Sequence, residues 1–348
     1  MIYLYIVAAA LLGSLTIYAL TGGADYGGGV LTLTAFGPRA DRQREVIDHA
    51  IGPIWESDHV WLILVVVILF YGFPPVYTTI MTSLFLPVIL MLVGIVLRGA
   101  AFSFRSYGSV GRAHRAWGRV FAVASLITPF FMGVTIGAVA SGRVPENPEV
   151  VGDFLISWAT PFGLSVGLFA VLLFAFLAAT YATLEDGETA VINDFRLRAI
   201  IFGIAEAIVA GEVLWLSRSG APRIWINLTT RAWTWPLIWL ASGSALAALW
   251  GLATRRLRLA RVFAAAEVLW IIWGWAFAQF PVMVEPDLTI YNASSPPVTL
   301  RLLAIALSGG AVILLPSMGY LMYIFKLHAR RLAFPTHVEA SGSDPPTD

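Results

Sequence analysis

The stretch GPIWESDHVWLILVVVILF, residues 52 to 70, joins two acids and a histidine, Glu56, Asp58 and His59, to an unbroken apolar run. Gly52-Pro53 interrupts what precedes it, and proline suits the first turn of a helix. The stretch therefore reads as a helix whose opening turns carry the three titratable groups. A helix that is apolar on every side belongs inside a membrane or a large core. Composition decides between them. The 348 residues are 58% hydrophobic and 12% charged, and the mean hydropathy is +0.79, far above what a water-soluble domain carries. The fold class expected is an all-α polytopic membrane protein.

Nine apolar segments reach the roughly 20 residues needed to cross a bilayer. They lie near 2–36, 54–71, 77–97, 117–140, 155–183, 199–217, 233–253, 260–280 and 299–325. The first, Met1 to Leu20 onward, lacks a basic n-region and a small-residue cleavage site, and reads as a retained helix. With nine spans, 17 of the 22 basic residues fall on one face, among them Arg39, Arg42, Arg44, Arg98, Arg105, Arg112, Arg115, Arg119, Arg255, Arg256 and Arg258. Only Arg143, Arg218, Arg223, Arg231 and Arg301 fall on the other. By the positive-inside rule the N-terminus is outside and the C-terminus cytoplasmic. Residues 1–331 are read as one integral membrane domain with nine helices, and 332–348 as a polar, disordered cytoplasmic tail. No internal repeat is evident.

Net charge of +1 offers no basic stripe for nucleic acid. The absence of cysteine removes disulfides, thiolate metal sites and thiol nucleophiles. Of His49, His59, His114, His328 and His337, only His59 adjoins a span, so a facing pair of intramembrane histidines is excluded. Met81, Met91, Met132, Met283, Met318 and Met322 read as packing. The chain is not expected to ligate haem by itself, and no metal site is expected. P-loop, HExxH, GxSxG and C-x-x-C motifs are missing. Asn227 and Asn292 stand in glycosylation-like triplets too short to carry weight.

The acids have two readings. Glu56 and Asp58 at a helix start are stabilised by the macrodipole, with Arg42 and Arg44 near enough to neutralise them. Alternatively they meet charges from other spans. Asp25 lies in LTGGADYGGGVL, where glycines permit close approach of helices. At about 1.5 Å per residue it sits about 36 Å along the first helix, toward the cytoplasmic side. Arg98, in LRGAAFSFR, ends span three on that side. Asp25, Glu56, Asp58 and Arg98 would then share one membrane level, as a structural ion-paired knot, a proton entry, or both. Glu206 and Glu212 in span six, and Glu267 in span eight, are further intramembrane acids that either serve a function or are held protonated or against a partner. Trp233, Trp235 and Trp239 fit an interfacial belt, and Trp270, Trp273, Trp275, Phe277 and Phe280 either packing or a lipid or quinone-tail surface.

Several of these stretches together resemble subunit II of the cytochrome bd ubiquinol oxidase family, from end to end. They are GADYGGGVL, AIGPIWESDHVWLI, FPPVY, LRGAAFSFR and FPVMVEPDLTIYNASSPPVTLRLL. The resemblance implies two four-helix bundles plus one helix, and a partner, subunit I, that carries haem b, haem d and the quinol site. It implies a role in a cytoplasmic proton path, in some members a structural quinone, and allows for a small accessory membrane subunit. By motif position Asp25 and Glu56 match acids associated with that path, and Arg98 the arginine after span three. Asp58 and His59 would be an acceptor and a relay. The family's WDGNxVW is WESDHVW here, and TDGFD is TGGAD, with Gly22 where many members carry an acid. The expected setting is a bacterial cytoplasmic membrane, with quinol as donor and oxygen reduced to water by the complex. A secondary transporter, or a structural subunit without a proton role, is the alternative.

Overall fold

Inside hydrocarbon every backbone N–H and C=O must be paired within its own segment, so long apolar runs close as helices. The computed structural model describes residues 1–51, 55–107, 112–145, 151–185 and 188–333. Its helices are α1 (Ile2–Leu33), α2 (Ala40–Ile51), α3 (Trp55–Gly72), α4 (Pro74–Ser83), α5 (Phe85–Tyr107), α6 (Arg112–Ser141), α7 (Val151–Trp158), α8 (Pro161–Ala182), α9 (Thr189–Gly220), α10 (Pro222–Thr230), α11 (Trp235–Ala253), α12 (Leu257–Gln279) and α13 (Pro297–Ala333). Among the described residues, eight helices are long and apolar enough to cross a membrane, and nine if one bent pair counts as a single span. The protein is an all-α polytopic membrane protein.

The bent pair corrects the sequence reading. Ser57–Gly72 and Pro74–Ser83 meet at 115°, because Pro74 restarts the helix at N1 after the buried Phe73. The third crossing is therefore not 77–97. It is α5, which begins at Phe85 with Pro87 in its first turn. Arg98 moves from the end of span three to the body of a helix, about 20 Å along it at 1.5 Å per residue. Expected span five also divides, into α7 and α8. Thr160 caps α8, its hydroxyl accepting from Gly163 N–H at 3.0 Å. Span six gains about three turns at its start, since α9 begins at Thr189.

Two compact units result, Met1–Leu303 and Ala304–Asp348. The second continues α13 to Ala333, and the tail from 334 lies outside the described residues. In the first unit α1 is central, packed against α3, α6, α8 and α12. Gly27 makes the α1–α8 approach feasible, since a Cβ there would stand 1.9 Å from the carbonyl oxygen of Phe174. Val30, Val171 and Ala175 are buried beside it, covered by Phe130 and Phe202. Chain neighbours pair as α5 with α6, α8 with α9 and α11 with α12, and α6 bridges to α8.

Both ends of the first unit are tied down. On the arginine-rich face Arg39 makes a bidentate pair with Asp194, at 2.8 Å for each bond. Gln43 donates to the same carboxylate at 2.7 Å, and Arg198 donates to Gln43. On the opposite face the long loop folds as a hairpin, β1 (Val282–Val284) antiparallel to β2 (Leu288–Thr289). Glu285 N–H donates to Val139 O at 3.1 Å, and Ser295 N–H to Gly72 O at 2.9 Å. Asn227 is spent internally, donating to Ala278 O at 2.6 Å.

Candidate functional site

Three helices meet at one buried charge cluster. Thr21 and Tyr18 precede Asp25 by one and two helical turns on α1, which puts all three on one face. On α3, Asp58, Trp61 and Ile68 are buried, whereas Val60, Ile63 and Val67 are exposed. The inward stripe of α3 thus runs through Asp58, Trp61 and Ile68. Arg98 arrives from α5. Asp25 is 7%, Asp58 1% and Arg98 1% exposed, so these are intramembrane charges in a dry environment.

Their contacts define a charge state. Arg98 Nη2 lies 3.4 Å from Asp25 Oδ2. The carboxyls of Asp25 and Asp58 lie close enough to interact, and the Thr21 hydroxyl, which donates to Ile17 O at 3.0 Å, is in reach of Asp58. An ionised carboxylate only accepts, and two of them in contact do not both ionise. The pair can therefore share one proton and keep one negative charge. Arg98 balances that charge, which is what burial at such depth requires. The cation acting on Asp58 is thus Arg98, while Arg42 bonds Glu45 and Arg44 bonds Asp41, each at 2.9 Å.

A tyrosine pair extends the cluster. The Arg98 guanidinium stacks over Tyr26 at 4.7 Å and over Phe121 at 5.3 Å. The Tyr26 and Tyr18 hydroxyls are 3.0 Å apart, and the Tyr18 ring stands edge-to-face on His59 at 6.3 Å. A Cβ at Gly22 would come 2.9 Å from the Tyr18 ring, so in this chain the tyrosine occupies the space beside that glycine. The arrangement can hold one exchangeable proton in a neutral, hydrogen-bonded setting, with hydroxyls and an imidazole alongside.

Of the residues singled out from sequence, the structure joins Asp25, Asp58 and Arg98, and places His59 beside them through Tyr18. Glu56 stands in the first turn of α3, but its side chain lies outside the described residues. Tyr18, Thr21, Tyr26 and Phe121 were not expected. The spacing of Thr21 and Tyr18 from Asp25 was the available signal. Glu212 accepts from Ser165 at 3.0 Å, away from this cluster.

The aromatics divide. Trp233, Trp235 and Trp239 are exposed at the opposite face, and Trp235 and Trp239 line an apolar pocket of about 250 Å³ with Leu228, Thr229 and Ile238. Trp273 donates to Thr16 Oγ1 at 3.1 Å, which is packing within the protein. Among the described residues, no three His, Cys, Asp or Glu side chains are grouped to hold a metal ion. The donors of the cluster are carboxyls and a guanidinium, suited to protons and not to haem iron.

A multi-pass helical membrane protein with a charge-balanced acid pair deep among its helices is the class these features define. The family model for cytochrome bd terminal oxidase subunit II matches residues 3–325. The chain belongs to that family. It is 27% identical over 336 residues to cytochrome bd-I ubiquinol oxidase subunit 2 of Escherichia coli K12, covering 86% of each chain. It is 21% identical over 326 residues to a putative cytochrome bd menaquinol oxidase subunit II of Bacillus subtilis 168, covering 90% of this chain and 92% of that one. Among solved structures, a chain of the bd oxidase from Geobacillus thermodenitrificans superposes with a TM-score of 0.73 at 20% identity, covering 93% of this chain and 99% of that chain. The fold is shared.

Proposed function

We propose that this chain is the haem-free subunit of a bd-type terminal oxidase in a bacterial cytoplasmic membrane, and that it delivers cytoplasmic protons to oxygen reduction in a haem-bearing partner, subunit I. The observation that carries this reading is the buried Asp25–Asp58 contact balanced by Arg98, assembled from three separate helices. A purely structural ion pair needs one acid for one arginine. Here a second acid is added: with one proton on the acid pair the cluster is neutral, and that proton can be passed on and replaced from the cytoplasmic side.

The residues take the following roles. Glu56 and Asp58, at the start of α3, receive protons from the arginine-rich side, which the positive-inside rule makes cytoplasmic, with the N-terminus outside. His59 relays, since an imidazole titrates near neutrality. Asp25 is the inner station, and Arg98 keeps one carboxylate of the pair ionised. Haem b and haem d of the partner supply oxygen binding and reduction to water with electrons from quinol. Uptake of protons inside and their release outside on quinol oxidation generates a proton-motive force. A small accessory membrane subunit and a structural quinone are compatible with this architecture. The membrane domain and a polar cytoplasmic tail after 331 complete the reading.

The test is co-expression with the neighbouring partner gene product. Haem spectra appearing only with the partner, together with quinol-driven oxygen uptake, are expected. Glu56→Gln, Asp58→Asn and Asp25→Asn should lower turnover while the haem content stays intact. Full turnover in all three would leave the chain a scaffold. Loss of haem in them would make the cluster an assembly element. Haem bound by the chain alone, or transport by a partner-free chain, would overturn the assignment.

A further inference from the structure

A second acid pair lies elsewhere in the first unit. Glu206 projects from α9 and Glu267 from α12, and they are 2% and 6% exposed. The two carboxyl groups lie close enough to interact with each other. Glu206 Oε2 and Glu267 Oε2 are both buried, and neither receives an N–H or O–H from any protein group. The helices that carry them are held by α8 and α11, which pack on both. At the level of Gly203, one turn before Glu206, the wall is Phe176 of α8 and Leu249 of α11.

Among the described residues, the surroundings offer no counter-charge. Neither α8 (Pro161–Ala182) nor α11 (Trp235–Ala253) contains an Asp, Glu, Lys, Arg or His. On α9, Arg198 donates to Gln43 about two turns away, and Glu212 accepts from Ser165. On α12, Arg261 pairs with Glu185 at 3.3 Å. From α1, which touches α12, the ionisable groups are Asp25, paired with Arg98, and the Tyr18–Tyr26 couple. From α10, Arg223 pairs with Glu285. Among the described residues, the ionisable group acting on Glu206 is Glu267, and the reverse also holds.

Two carboxylates in this setting would be two acceptors in contact with no donor and no cation, which hydrogen-bonding capacity and the cost of buried charge both forbid. We infer that Glu206 and Glu267 form a proton-binding site within the membrane, separate from the Asp25–Asp58 cluster, in which the two carboxyls share a proton. The ligand is the proton itself, shared along the carboxyl–carboxyl bond. Unlike the first cluster, this pair has no arginine, so its lowest-charge state is the doubly protonated, neutral one. It is a proton store on α9 and α12, and the inference is independent of the oxidase reading.

Infrared difference spectroscopy on the intact complex, titrated across neutral pH in water and in deuterium oxide, tests it without requiring a reagent to enter the protein. A protonated carboxyl absorbs as a carboxylic C=O band that shifts on deuteration. Glu206→Gln with Glu267→Gln keeps shape and hydrogen bonding, and that band should lose the intensity due to this pair. A double variant whose C=O region superimposes on the wild type would overturn the site. Should the double variant fail to accumulate, each single Gln variant leaves one carboxyl against an amide, and the band must move in both. A band that neither single change moves would equally overturn it.

Discussion

Replacing Arg98 by Met removes the cation that, among the described residues, acts on the Asp25–Asp58 cluster, while keeping a long apolar stem. At 3.4 Å from Asp25, the attraction lost is about 5 kcal/mol at an effective dielectric constant of about 20. Breaking a buried pair from one side costs about 3 to 5 kcal/mol in measured cases. The stacking over Tyr26 and Phe121 goes as well. The protein has one escape, which is to bind a second proton and make the acid pair neutral, so the loss should sit at the lower end, about 3 kcal/mol, and shrink as pH falls. Adding Asp25→Asn should restore stability, because Asp58 then needs only the single proton that the cluster already holds. The assay is reversible denaturation in mixed micelles followed by tryptophan fluorescence, with Arg98→Met, Asp25→Asn and the double variant forming a cycle. An Arg98→Met protein within about 0.5 kcal/mol of wild type, or a double variant no more stable than Arg98→Met, would refute the charge-balance argument.

Other expectations follow from contacts already described. Gly27→Ala drives a methyl into the Phe174 carbonyl and should cost at least the roughly 1 to 3 kcal/mol of an overpacked core. Gly243→Ala on α11 meets nothing within 4 Å and should gain up to about 1 kcal/mol of helix propensity; thermal denaturation of the two separates packing from propensity. Burial raises the Glu285 carboxyl above the ordinary glutamate range, against the opposing pull of Arg223. Because the folded state holds this proton more tightly than the unfolded chain, the Glu285 contribution weakens as pH rises from the usual glutamate range through the raised value. Hydrogen exchange at β1 and β2 should accelerate over that rise in the wild type, and Glu285→Gln should flatten the difference. Tyr18→Phe deletes the 3.0 Å bond to Tyr26 and should cost about 0.5 to 1.5 kcal/mol in the same denaturation assay.

Much of this was legible in the chain because membrane folding obeys a simple constraint, that apolar runs of sufficient length become helices. The runs 117–140, 233–253 and 260–280 match α6, α11 and α12 closely, with Pro129 accommodated inside α6. At the third and fifth spans, where the reading shifted, proline was the cause. Pro74 and Pro87 moved the third crossing and carried Arg98 inward, and Thr160-Pro161 split the fifth. The meeting of Asp25, Asp58 and Arg98 was readable because each was a charge in an apolar context at an estimated depth. Which face of α3 turns inward was not readable, since its apolar residues surround the helix and give no amphipathic stripe. Only the Asp58–Asp25 contact settles that. Tyr26 escaped notice because a tyrosine in a membrane helix carries no sequence signal distinct from ordinary packing, whereas Tyr18 was marked only by its two-turn spacing from Asp25. Glu206 and Glu267 were visible as buried acids, but the contact between them depends on how α8 and α11 seat α9 and α12, which no spacing along the chain records.

The central claim is that protons for oxygen reduction pass through the Asp25–Asp58–Arg98 cluster. The most direct measurement is proton uptake after an oxygen pulse to the fully reduced complex, recorded with a pH-sensitive dye on the cytoplasmic side, in wild type, Asp25→Asn and Asp58→Asn. The account predicts unchanged haem spectra and oxygen binding, with proton uptake and the reduction steps that consume protons slowed together in both variants. Wild-type uptake kinetics at full haem content in both variants would contradict it.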